Sequence, residues 1–283
     1  MNLTRLPVAL DFRVRAEAFL LRHEAINNLP LGIIGNLIAH PERFKEQPYL
    51  ALVEDGGEVA AAAVRTPPHN LVLSLTNSRE ALELIARDAH TLYPDLNSAT
   101  GPNPTIQHFA EIWQTLTGQH YRAKLALGVY QLTRVRPPAN VPGRFRRATR
   151  DDKELLVKWR IAFSREALGE EEEPARVAEV VESTLTSPVR GIGGWEDGDL
   201  VSMAVYTGPT PNGIRISGVY TPPEFRGQGY ASACVAAVSQ LQLDSGRTFV
   251  FLFTDLANPT SNKIYQQIGY EMVGEATDYE FIE

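Results

Sequence analysis

The tripeptide Glu-Asp-Gly occurs at residues 54–56 and again, half the chain later, at residues 196–198. The first copy separates apolar stretches at residues 49–53 and 59–64, and the second precedes a similar stretch at residues 200–206. Acidic residues followed by Gly between apolar runs read as hairpin turns, since Gly accepts the positive φ that such turns demand. Each hairpin is followed by a third strand-like stretch, residues 71–75 or 214–220, and then by a helical segment, residues 79–90 or 231–244. A repeat that occupies half a chain predicts a duplicated domain rather than a solenoid. Between the copies, Arg136-Pro137-Pro138-Ala139-Asn140-Val141-Pro142-Gly143 offers three prolines and a glycine, which neither a helix nor a central strand tolerates. The expected organisation is a first domain over residues 1–136, a linker over 137–143 and a second domain over 144–283.

Charge and residue usage narrow the function. The 283 residues include 27 basic and 34 acidic side chains, a net charge of −7 that lies entirely beyond residue 140. An acidic chain is a poor match for nucleic acid. Cys234 stands alone, so no intrachain disulfide forms, which suits a reducing compartment. No apolar run approaches the ~20 residues of a membrane span. Asp11, Arg13 and Arg15 also break the N-terminal apolar run before a signal-peptide core can form. A cytoplasmic protein without nucleic-acid or membrane partners is expected. All six histidines precede residue 141 and the cysteine follows it, so no Cys–His or Ser–His–Asp set can be assembled in the second half. No His or Cys stands at zinc-ligand spacing, and no metal is expected.

The second half predicts an α/β (α+β) domain, a mixed and largely antiparallel sheet flanked by helices. Residues 151–167 carry Leu155, Leu156, Trp159 and Phe163 on one helical stripe. The acidic run Glu170 to Glu173 leads through Pro174 into a second helix over 175–185, and three antiparallel strands end at Tyr220. A helix over 230–244 stops at Gly246, and residues 248–254 read as a buried central strand. Asn258 and Pro259 suit a helix start, with Ile264 and Ile268 as its buried stripe. Short strands over 272–274 and 279–282 finish the chain.

The stretch that carries chemistry runs from Val219 through Tyr220, Thr221, Arg226, Gly227, Gln228, Gly229 and Tyr230 to Ala231. Its glycines permit dihedrals closed to other residues, and successive N–H groups at a helix start make a nest for a pyrophosphate. Arg226 adds a fixed positive charge, and small residues keep the first helical turn thin. A P-loop requires Lys after its last Gly, which is missing. A dinucleotide fingerprint requires a third Gly or Ala where Ser232 stands, and it opens a parallel βαβ unit rather than following an antiparallel meander.

Arg226-Gly227-Gln228-Gly229-Tyr230-Ala231 matches [QR]-x-x-G-x-[GA], the coenzyme A loop of the GNAT superfamily of N-acetyltransferases. Residues 258–270 also resemble that superfamily's second signature, an Asn-rich helix start, then Tyr265, then Gly269 with an aromatic after it. The resemblance covers roughly residues 144–283. The first half has the outline of the same fold but lacks the loop, and so looks like a degenerate copy. The resemblance implies acetyl-CoA as co-substrate, held by residues 219–221 and 226–231 with Asn258 and Asn262. It further implies that the Val219 backbone stabilises the oxyanion and that Tyr265 protonates the departing thiolate.

No carboxylate lies on residues 214–220, where several family members carry a glutamate. Glu224, Asp255, the Glu170–Glu173 run or a water chain are left as routes for the amine proton. The acidic run reads first as a solvated helix start and second as an attractor of a cationic amine. Cys234, in mid-helix, reads as a small core residue. The resemblance points to direct acetyl transfer to a primary amine on a small molecule or peptide. A coenzyme A-binding sensor without turnover and a nucleotide-binding oxidoreductase are the competing readings. The acceptor, the acyl chain length, the part played by the first half and a homodimeric arrangement stay open.

Overall fold

A computed structural model describes residues 1–283, apart from the side chain of Leu168. The first half runs β1 (Asn2–Arg5), α1 (Ala9–Leu21), α2 (Asn28–Ala39), β2 (Tyr49–Asp55), β3 (Glu58–Arg65), β4 (Leu71–Leu73), α3 (Arg79–Leu92), β5 (Ser98–Pro102), α4 (Thr105–Thr117) and β6 (His120–Leu132). The second half repeats this order as β7 (Arg144–Arg147), α5 (Lys153–Phe163), α6 (Pro174–Leu185), β8 (Gly191–Asp197), β9 (Asp199–Thr207), β10 (Gly213–Tyr220), α7 (Tyr230–Asp244), β11 (Phe249–Asp255), α8 (Pro259–Ile268) and β12 (Glu271–Ile282). Both Glu-Asp-Gly sites lie at hairpins, with Gly56 and Gly198 at φ +58° and +76°. No helix or strand occurs between Leu132 and Arg144, the Pro-rich stretch.

The chain packs as two units. One comprises residues 1–129, 254–258 and 272–283; the other comprises 130–253 and 259–271. In the first unit β1 to β5 follow one another and β12 comes next, antiparallel to β5 from Ala276↔Pro102 to Glu280↔Ser98. All neighbouring pairs described for β1 to β5 are antiparallel except β4 with β5. The second unit orders its strands β11-β10-β9-β8-β7, with only β10 and β11 parallel. Within each unit the strands are therefore mixed, largely antiparallel and flanked by helices.

Both sheet faces are covered in each unit. In the first, α1 and α2 place Phe12, Leu20 and Ile34 on Leu50, Leu52 and Val64, while α3 and α4 place Ile85, Phe109 and Trp113 on the opposite face. In the second, α5 and α6 bring Leu156, Trp159 and Val177 to one face, and α7 brings Cys234, Val235 and Val238 to the other. Helix α7 is buried on most of its sides, which explains its run of Ala and other small residues. Cys234 lies in this core, where burial pushes its thiol up to about 12.

Two local expectations change. The helix expected over 151–167 is α5 between a 3₁₀ turn at Arg150–Asp152 and a π turn at Ser164–Leu168. The two short C-terminal strands are the single strand β12, and most of it packs in the first unit. Periodicity reports which residues are buried, not which sheet they join. Among the described residues no helix is long and apolar enough to cross a membrane.

The C-terminal Phe281 stacks on Trp113 with centroids 5.4 Å apart and belongs to the first unit's core. Phe281→Ala should therefore destabilise the first unit by about 3–5 kcal/mol. Hydrogen exchange should report faster opening of β5 and α4, with α7 unaffected.

Candidate functional site

In the second unit β10 and β11 pair over Gly213↔Phe249, Ile214↔Val250 and Arg215↔Phe251. Beyond Arg215 no further pair joins them, although both strands continue. On its other side β10 follows β9 to Ser217↔Val205 and then slips a register before Tyr220↔Met203. Gly218, at φ +54°, makes this bulge. A parallel pair that parts leaves backbone groups facing the gap at the carboxyl ends of the strands, where open α/β sheets take their ligands.

The loop from Thr221 leads from this gap to α7. Gly227 and Gly229 have φ of +78° and +85°, and a side chain on Gly227 would meet open space. Gly229 is the residue before α7 and supplies no side-chain cap, so the first N–H groups of the helix are left for a ligand. Residues 226–228 are exposed, Ala231 is half-buried and Tyr230 is buried, its hydroxyl donating to Asp197 at 2.6 Å. Ser202 Oγ and Thr221 Oγ1 share a 2.9 Å hydrogen bond that fixes the start of the loop.

Arg226 differs from its expected role. It donates to Glu166 at 2.6 Å and to the Thr221 carbonyl at 2.9 Å. The Tyr220 hydroxyl also donates to Glu166, at 3.0 Å. The Arg226 hydrogen bond holds the Glu166 carboxyl below its usual range. The Arg226 charge is thus matched by a carboxylate, and the loop's attraction for anions falls to its N–H groups. Glu166 sits in the π turn, sixty residues from its partner, and nothing in the local pattern distinguished it.

On α8, Tyr265 and Val219 of β10 pack against the same apolar cluster, and the Tyr265 ring lies edge-on to Tyr270 at 5.9 Å. Burial pushes the Tyr265 phenol up to about 12, and its hydroxyl makes no hydrogen bond among the described residues. Asn262 lies three residues earlier on α8 and is half-buried. Asn258 is exposed, directly ahead of Pro259, in the segment that packs with the first unit.

The acidic run is already partly engaged. Glu173 caps α6 by accepting from the Ala175 and Arg176 N–H groups at 3.0 and 2.7 Å. Glu172 accepts from Arg160 at 3.1 Å and from the Ser164 hydroxyl. Glu224 and Asp255 are exposed. A cleft of about 500 Å³ adjoins Pro222, Glu224 and Phe225; of its four carboxylates Asp152 and Glu196 hold Arg146, while Asp199 and Glu224 do not. Among the described residues no group of three His, Cys, Asp or Glu side chains could hold a metal ion.

The first half lacks a counterpart to the loop. There β4 ends at Leu73, and the Ser78 side chain accepts from the Ala81 N–H at 3.2 Å, occupying the start of α3 with the chain's own cap.

Residues 154–270 match the sequence profile of the acetyltransferase (GNAT) family. No curated protein sequence matches the chain. Among solved structures, a Drosophila protein is similar with a TM-score of 0.68 at 11% identity, covering 99% of this chain and 98% of its own. A GCN5-related N-acetyltransferase from Sphaerobacter thermophilus has a TM-score of 0.63 at 18% identity, covering 98% and 95%. A tandem GNAT protein from the clavulanic acid biosynthesis pathway has 0.59 at 13%, covering 99% and 98%. The fold is that of the GNAT superfamily of acetyltransferases.

Glu166→Gln removes a negative charge beside the loop and frees Arg226 to turn toward an incoming anion. Titration calorimetry should show coenzyme A binding about fivefold tighter at low salt, with the difference shrinking at high salt. Weaker binding would instead mean that Glu166 holds the loop in its binding shape.

Proposed function

We propose that this chain is an acetyl-CoA-dependent N-acetyltransferase that moves the acetyl group directly to a primary amine. The observation that carries this reading is the coincidence of two features at one place. Strands β10 and β11 part after Arg215, and the uncapped, glycine-led start of α7 faces an exposed loop with the GNAT coenzyme A pattern. The first feature supplies a slot for an extended thioester arm, and the second supplies N–H groups for its diphosphate. Val219, Tyr220 and Thr221, with Arg226, Gly227, Gln228, Gly229, Tyr230 and Ala231, are the cofactor-binding residues in this reading, and Asn262 and Asn258 are further contacts.

The amine attacks the thioester carbon, and the Val219 N–H holds the oxyanion as the tetrahedral centre forms. The C–S bond then breaks, the Tyr265 phenol donates its proton to the thiolate, and the proton lost by the attacking nitrogen passes to water, from which the phenolate is reloaded. A phenol raised to about 12 is fully protonated at neutral pH, so the donor is always loaded. The same dry surroundings raise the basicity of the thiolate, which keeps the transfer within reach.

The tandem arrangement belongs to this proposal. Residues 144–283 carry the coenzyme, and residues 1–136 are a copy whose nest has been replaced by the Ser78 cap. The absence of a carboxylate on β10 favours one rival reading, a coenzyme A sensor without turnover. An amine arriving deprotonated removes the need for a strong base.

Two measurements test the proposal. Acetyl-CoA and coenzyme A should raise the melting temperature, by about 2.7 kcal/mol of stabilisation at 100 times Kd, while NAD(H) leaves it unchanged. A shift with NAD(H) alone would overturn the coenzyme assignment. Tyr265→Phe should leave acetyl-CoA affinity and melting temperature near the parent values, because the hydroxyl makes no hydrogen bond among the described residues. Turnover should fall at least tenfold; parental turnover at every pH would remove Tyr265 from the mechanism.

A further inference from the structure

Residues 140–143 close the Pro-rich stretch between the two copies of the repeat, and they pack in the second unit. Asn140 takes the left-handed conformation, φ +59°, which Asn tolerates better than most residues. The half-buried Val141 then comes to rest on Gly229. A Cβ built on that glycine would sit 3.1 Å from Val141 Cγ2. Gly229 is the last residue before α7 and stands at φ +85°.

Two fixed points set where Val141 lies. Trp195 on β8 donates its indole N–H to the Pro142 carbonyl at 2.7 Å. Gly143, at φ +96°, is wedged against the end of the same strand, where a Cβ would overlap the Glu196 carbonyl. The chain then enters β7, and Arg144 pairs with Glu196 across the two strands. Val141 is therefore three residues from an anchored strand rather than part of a free spacer. The helix side is fixed by the same hairpin, since the Tyr230 hydroxyl donates to Asp197 at 2.6 Å.

Between these points the loop has little support of its own. Residues 226–228 are exposed, and a side chain on Gly227 would meet nothing within 4 Å. Glycine explores more backbone than any other residue, so an uncovered Gly229 would let the N–H groups around it swing apart. Freezing the backbone of one residue costs about a factor of ten in an equilibrium. A nest takes a diphosphate tightly only when its N–H groups already converge before the ligand arrives.

We propose that residues 140–143 brace the coenzyme loop, with Val141 as a positioning residue that holds Gly229, and so the N–H groups around it, in the shape that takes a diphosphate. The effect on affinity rests on the reading of residues 226–231 as a coenzyme loop; the effect on Gly229 does not. Val141 acts through Gly229, and its own place is set by Trp195 and Gly143. The end of the stretch that joins the two copies is thus a working part of the ligand site.

The test uses the full-length protein with Val141→Ala, Val141→Ile and Trp195→Phe. Titration calorimetry measures coenzyme A affinity, and nitrogen-15 relaxation reports the motion of the Gly229 amide without ligand. Val141→Ala should bind coenzyme A about tenfold more weakly and show a more mobile Gly229 amide, with a melting temperature close to the parent's. Val141→Ile, which keeps both γ carbons, should restore affinity and rigidity. Trp195→Phe keeps an aromatic ring but loses the donor to Pro142. It should weaken binding by itself and add little to Val141→Ala, because both act through one contact. Parental affinity in Val141→Ala overturns the proposal, as does parental motion of its Gly229 amide. A loss of affinity matched by a fall in melting temperature also overturns it, since Val141 would then be structural. If the parent does not bind coenzyme A, the coenzyme reading fails and Gly229 alone decides the brace: greater motion in Val141→Ala upholds it, and equal motion overturns it.

Discussion

Two parallel strands that share three residue pairs and then separate are the constraint on which the chemistry proposed for the second unit depends. Had β10 and β11 stayed paired to their ends, their backbone groups would be spent on each other and the sheet would offer no slot. Just beyond the point of separation, on the β9 side, Gly218 inserts an extra residue into the strand. It also determines which side chains face the gap. The bulge changes the parity of β10, so Val219 joins the apolar cluster with Tyr265 while Tyr220 reaches Trp159 and Glu166.

The two halves show how little separates a helix start left open from one closed by its own side chain. Helix α3 begins after Ser78, whose hydroxyl satisfies an N–H of the first turn. Helix α7 begins after Gly229, which has no side chain to do so. Both helices lie at the same place in the order of elements. A single capping hydroxyl is worth about 1 kcal/mol to the helix, and its absence leaves donors free to bind something else.

Much of this architecture was legible in the sequence, for reasons that vary from element to element. Helix α7 runs over residues 230–244 as expected, because Gly229 and Gly246 bracket a periodic run. The hairpins at Glu54 and Glu196 were marked by their glycines. Strand β12 was read as two pieces because its middle, Glu275 to Asp278, has neither an apolar run nor clean alternation; its pairing with β5 holds it extended. The Arg226–Glu166 pair was invisible, since a contact between distant positions leaves no local pattern.

The assignment of residues 272–283 to the first unit also bears on the order in which the protein is made. Synthesis delivers β1 to β5 well before β12, the neighbour of β5, which follows only after the rest of the second half has been made. Until then the edge of β5 and the ring site beside Trp113 stand open, with a row of unpaired backbone groups exposed to other chains. The unit begun before the other is thus completed after it, and a nascent chain stalled anywhere in the second half carries an unfinished sheet.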